Sequence, residues 1–124
     1  MKQSFFSAKT WLSRFGYACN GLGSSFKTEQ TVWVHLIATI IVITFSMIMK
    51  VTGIEAIAIT FATGFVWSAE LFNTSIEKLA DKVTMEYNDT IKMIKDISAA
   101  AVLITSVVAL ITGLIIFIPK FFRV

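Results

Sequence analysis

Residues 32 to 50, VWVHLIATIIVITFSMIMK, carry a single charge, Lys50, and it stands at the very end. About 20 apolar residues are what a helix needs to cross the hydrocarbon core of a bilayer. A second run of this kind, ISAAAVLITSVVALITGLIIFIP, fills residues 97 to 119 and is expected to close at Pro119. Between them a further apolar run opens at Gly53 and Glu55 after the short VTG turn and continues to Val66. A water-soluble domain of 124 residues has too much surface for a chain that is 56% hydrophobic and 15% charged, so lipid is the natural solvent. The expected fold is all-α and a single membrane domain over residues 1–124. It has an N-terminal amphipathic surface helix over 1–28 and transmembrane helices over 30–50, 54–80 and 91–118.

The N-terminal segment supports its own assignment. Phe5, Ala8, Leu12, Phe15, Cys19, Leu22 and Phe26 recur at spacings of three and four, while Lys9, Ser13, Arg14, Asn20, Ser24 and Lys27 lie off that stripe. The period is helical, and aromatics down with cations up suits a helix lying on an anionic bilayer. An ordinary packed helix is the alternative. Gly16, Gly21 and Gly23 predict a break within it. Lys9 and Arg14 interrupt the apolar core that a secretory signal would need, so insertion is expected to depend on the later spans. The lone Cys19 excludes an intrachain disulfide and a thiolate metal cluster. A net charge of +3 without any block of like charges gives no footprint for nucleic acid.

Orientation follows from the cations. With three spans, Lys2, Lys9, Arg14, Lys27, Lys78, Lys82, Lys92 and Lys95 fall on one side, against Lys50, Lys120 and Arg123 on the other. The positive-inside bias places the N-terminus and the polar loop at 81–89 in the cytoplasm.

The stretch WSAELFNTSIEKLAD, residues 67 to 81, ends the second span with acids. Taking that span from Ile54, Glu70 lies roughly 24 Å along the axis, just inside a cytoplasmic boundary set by a core about 30 Å thick. Asn73, Glu77 and Asp81 share its helical face, with Phe65, Phe72, Ile76 and Leu79 opposite. A carboxylate at that depth costs a few kcal/mol to insert and calls for a reason. Pairing with an interfacial lysine is the plain one, and Asp81 also reads as part of a solvated helix end. Glu29, just ahead of the first span, emerges at the level of Glu77. Two such carboxylates suit Mg²⁺, which takes oxygen ligands and keeps phosphate and water as the rest of its shell. Lys95 and Asp96 stand together at the mouth of the third span, where Asn88 or Asp89 is placed to cap the helix. Lys95 reads either as a snorkelling side chain or as a point charge for phosphate. A base under the surface and a cation–phosphate site above it are what phosphoryl transfer to a lipid alcohol requires.

AELFNTSIEKLAD followed by KMIKDISAAAVLI resembles the prokaryotic diacylglycerol kinase and undecaprenol kinase family, whose pattern is E-x-x-N-[ST]-x-I-E-x-x-x-D with K-D-x-x-A-x-A-V further on. The likeness runs from about Gly16 to Lys120. It implies a homotrimer in the bacterial cytoplasmic membrane that uses ATP and Mg²⁺, with Glu70 as general base and Asn73 and Lys95 beside the chemistry. It implies Glu29 and Glu77 as metal ligands that also hold the nucleotide. Tyr17, the run Glu86, Tyr87 and Asn88, Lys95 and Asp96 are implied as ATP contacts. The family often has an arginine near position 10, where this chain has Thr10. KTEQTVWVH and GLIIFIPK look like the undecaprenol branch, with diacylglycerol as the alternative lipid. His35, within KTEQTVWVH, reads as a packed, hydrogen-bonded histidine in the first span.

No G-x-x-x-x-G-K-[ST] loop and no soluble-kinase H-R-D or D-F-G signature occurs in the chain. The nucleotide is therefore expected on helix-borne side chains. A small proton-coupled exporter is the rival from another class, but it would place its glutamate near mid-bilayer and usually has four spans. A structural subunit is a third reading.

Overall fold

The structure, a computed structural model, describes residues 7–123. Four helices follow one another: α1 (Ala8–Thr28), α2 (Gln30–Ile48), α3 (Gly53–Val83) and α4 (Asp89–Phe121). The last three are long and apolar enough to cross a membrane. Phe5, the first position of the N-terminal stripe, and the first residues of the expected 1–28 helix lie outside the described residues.

Each boundary has a local cause. Glu29 alone separates α1 from α2. Its backbone is extended (φ −123°, ψ 121°), yet its N–H still donates to Ser25 O at 3.0 Å. After α2 the chain reverses at Lys50, which takes the left-handed region (φ 52°), a conformation that costs a side chain with a Cβ about 1 kcal/mol. The residue bearing the reversal is therefore the lysine, while Gly53 simply begins the next helix. Thr52 starts α3 with a capping box: its hydroxyl accepts from Glu55 N at 3.2 Å, and its own N–H donates to Glu55 Oε1 at 3.1 Å. Asn88 starts α4, its Oδ1 accepting from Thr90 N at 2.9 Å and Ile91 N at 3.1 Å.

Several expected boundaries move. α1 runs unbroken through Gly16, Gly21 and Gly23. An uninterrupted helix satisfies each interior amide, which outweighs the penalty of roughly 1 kcal/mol per glycine. α3 extends to Val83 and α4 begins at Asp89, so the 81–89 loop shrinks to 84–88. Pro119 does not close α4, which continues to Phe121. Proline forfeits one amide bond here, and Phe122 N–H still reaches Ile118 O at 3.3 Å.

Several hydroxyls inside the spans are turned back on their own helices. Thr44 donates to Ile40 O at 2.8 Å, Ser46 to Val42 O at 2.7 Å and Thr112 to Val108 O at 2.8 Å. A hydroxyl in hydrocarbon has no water to bond, and the carbonyl one turn earlier is the nearest acceptor.

α3 and α4 form the main packed pair. An ion pair closes each end: Glu55 Oε1 to Lys120 Nζ at 2.9 Å, and Asp81 Oδ1 to Lys95 Nζ at 2.6 Å. The acids are about 26 residues apart on α3 and the lysines about 25 apart on α4, so one antiparallel register satisfies both pairs. Val32 at the start of α2 is wholly covered, whereas Ile43, Ile57, Leu103 and Ile111 are exposed along the spans. A protomer with so little interior depends on lipid, or on further protein, to cover its sides.

Candidate active site

Glu70 is buried, its side chain 7% exposed, and faces α2. Its Oε2 lies 3.4 Å from His35 Nε2. This answers which group supports the acid, and it is no interfacial lysine. Lys78, Lys92, Lys95 and Lys120 pair with Glu29, Asp96, Asp81 and Glu55 respectively.

The imidazole is held by its own surroundings. Trp67 lies one turn before Glu70 on α3, and its Nε1 donates to Thr39 Oγ1 at 2.8 Å. Thr39 in turn donates to His35 O at 2.7 Å. The Trp67 and His35 rings are 6.2 Å apart. Phe26 at the end of α1 packs on both Trp67 and Trp33, with centroids at 6.1 and 5.2 Å, and Trp33 Nε1 donates to Phe26 O at 2.8 Å. The last turn of α1 thus braces the α2–α3 contact that carries Glu70. A cavity of about 220 Å³ lies deeper along the span, lined by His35, Thr39, Thr63, Trp67 and Ser106 among others.

One turn beyond Glu70, Asn73 buries its Oδ1 without a hydrogen-bond partner. A buried amide oxygen left unbonded costs about 1–3 kcal/mol, so this atom is a poised acceptor beside the acid. Further along α3, Lys78 Nζ holds Glu29 Oε1 at 3.0 Å and Thr28 Oγ1 at 3.2 Å. This contact brings the helix junction to the neighbour of Glu77. Among the described residues no three metal-ligating side chains come together. Glu29, one of the two expected metal ligands, is instead held by Lys78. Beside them, α1 and α3 enclose a cleft of about 540 Å³ lined by Gly21, Ser24, Ser25, Thr74, Ser75 and Lys78 among others.

Lys95 and Asp96, neighbours in the chain, part company in the fold. Lys95 crosses to Asp81 on α3, whereas Asp96 pairs with Lys92 on its own helix at 2.7 Å. Asn88 spends its Oδ1 on the α4 cap, which leaves its amide NH₂ for a ligand. Glu86 and Tyr87 stand exposed in the 84–88 loop, and the Tyr87 hydroxyl is hydrogen-bonded to Asp89, which pushes its pKa above the ordinary tyrosine value. Tyr17 is exposed on α1, about 18 Å along that helix from Glu29, and no contact links it to the other candidates.

Two residues outside the sequence-derived set contact the candidate residues. His35 had a signal: a buried acid needs a partner, and this is the titratable residue inside the first span. Lys78 had none, because its contact with Glu29 depends on how α1 turns into α2.

A family model described as prokaryotic diacylglycerol kinase matches residues 16–117. The chain belongs to that family. Curated relatives agree with the assignment. An undecaprenol kinase of Bacillus subtilis (strain 168) is 33% identical over 106 residues, 86% of each chain. A diacylglycerol kinase of Synechocystis sp. is 29% identical over 119 residues, 95% of this chain and 68% of the relative. The Escherichia coli (strain K12) diacylglycerol kinase is 28% identical over 101 residues, 82% of this chain and 83% of the relative. The protein is thus an enzyme of the lipid kinase family, and its three apolar helices make it a bacterial membrane protein. Within this lipid kinase, the buried Glu70 and Lys78, which holds the half-buried Glu29, lie toward the same end of α3, about 12 Å apart along its axis.

Proposed function

We propose that this lipid kinase transfers the γ-phosphoryl group of ATP to the hydroxyl of undecaprenol, giving undecaprenyl phosphate. The observation that supports this reading best is the position of Glu70: a buried carboxylate at the acid-bearing end of a span, backed by an imidazole and not by a lysine. In this reading Glu70 accepts the hydroxyl proton of the lipid alcohol while Asn73 Oδ1 orients the head of the substrate. Glu29 and Glu77 would hold Mg²⁺, which when bound neutralises the phosphate oxygens. Lys95, Asp96 and the loop residues Glu86, Tyr87 and Asn88 would contact ATP, with Tyr17 closing over from α1.

The same reading puts α1 on the membrane surface, with Leu12 and Phe15, both exposed in the protomer, facing lipid. It puts the Glu29 end of the molecule in the cytoplasm and assembles the protomers as a homotrimer, which would cover part of the exposed span surface. The lipid is assigned from KTEQTVWVH and from the Bacillus relative named undecaprenol kinase. Diacylglycerol is the second reading, favoured by the Synechocystis and Escherichia relatives, both named diacylglycerol kinases.

Competition tests the substrate. Undecaprenol and diacylglycerol are offered together in detergent micelles with labelled ATP and magnesium. Preferential labelling of undecaprenol is expected. Predominant formation of phosphatidic acid would overturn the lipid assignment, and no labelled lipid at all would overturn the kinase site.

A further inference from the structure

We infer that His35 is the positioning residue for Glu70, orienting its carboxylate and sharing the proton it collects. The inference rests on the general-base reading of Glu70. It begins from a requirement: a carboxylate whose side chain is 7% exposed needs a partner, or it loses its charge. A lysine would meet that need but would make a poor site for a base, since a carboxylate fixed against a full cation gives up its proton affinity. An imidazole supports the acid as a neutral donor and can also receive a proton.

The histidine has neighbours besides Glu70. Thr39 anchors its backbone carbonyl, Trp67 stands beside its ring, and the Trp67–Thr39 hydrogen bond ties α3 to α2 at that level. Because Trp67 is one turn before Glu70, the element that carries the acid also places the imidazole. The histidine side chain is 20% exposed, so it borders the hydroxyl-lined cavity and is not sealed in the packing.

The O–H bond of the lipid alcohol breaks and its proton passes to the Glu70–His35 pair. The alcohol oxygen bonds to the γ-phosphorus of ATP. The bond from that phosphorus to the β–γ bridging oxygen breaks, and ADP leaves with the electron pair. The pair then returns its proton to water.

Steady-state kinetics of His35→Ala, His35→Gln and His35→Lys, with Glu70→Gln alongside, tests the inference in micelles with undecaprenol and MgATP. His35→Ala is expected to lower kcat by about 100-fold while KM for ATP changes less than about twofold. His35→Lys separates positioning from mere pairing: it should restore thermal stability by bridging to Glu70 yet leave kcat as low as in His35→Ala. Parental kcat in His35→Lys, or in His35→Ala, would overturn the inference. If His35→Ala does not fold, the Gln and Lys variants decide, with a Gln variant at parental kcat also counting against proton sharing. Failure of the underlying reading looks different, because Glu70→Gln itself would then turn over normally.

Discussion

Glu70 on α3 and His35 on α2 meet at 3.4 Å across the interface of two spans. Their contact joins the first membrane helix to the second. It also makes the acid's environment a property of two helices, so changes on either should be felt in turnover before they are felt in folding.

Replacing the carboxylate by its amide isolates the chemistry. Glu70→Gln is expected to lower kcat by about 100- to 10,000-fold with nucleotide affinity near that of the parent. Coupled ADP release gives the first quantity and a fluorescent ATP analogue the second. Ordinary turnover would end the general-base assignment.

Glu77→Gln bears on the metal. Losing a direct ligand should cost no less than the roughly tenfold typical of losing an outer hydrogen bond to one. The magnesium concentration needed for half-maximal rate and the KM for ATP should therefore rise together. A magnesium titration at fixed ATP reads both, and an unchanged magnesium requirement would count against the assignment.

Lys120→Met concerns the opposite end. It leaves Glu55, only 23% exposed at its side chain, without its 2.9 Å partner. The loss should lie between those of surface and buried pairs. Thermal inactivation in micelles should accelerate, while kcat of the surviving enzyme stays near parental because the site is at the other end of α3.

Tyr87 supplies a pH signature in the 84–88 loop. The neutral phenol is the form bonded to Asp89, so its pKa lies above the usual value. Whatever the bond contributes is fully present below about pH 10 and is lost as pH rises through the raised value. Phenolate absorbance should show one transition that Tyr87→Phe removes and Asp89→Asn moves downward.

The spans were legible because apolar length is a property of the sequence itself, and the acid stripe showed because charge stands out against it. Asn88 was readable as a cap for the same local reason. Helix ends were less so. The Glu29 corner depends on Phe26, Trp33 and Trp67 packing together, and the persistence of α4 through Pro119 depends on a single expendable amide. Of the candidate site, the neighbours of Glu70 and Glu29 were hidden, since His35 and Lys78 are brought in by tertiary contact from 35 and 49 positions away along the chain. Lys95 and Asp96 show the reverse error: adjacency in sequence concealed that a helix turns consecutive side chains about 100° apart.

The twin ionic clasps of the α3–α4 hairpin make it a ruler of fixed length. Sliding one helix past the other by a turn would open both clasps together, so the pair resists shortening or lengthening to follow its surroundings. With roughly 39 Å between its charged ends, the burden of matching passes to the lipids, which must stretch or compress their chains around it. Turnover should consequently peak at one acyl-chain length and decline in both thinner and thicker bilayers.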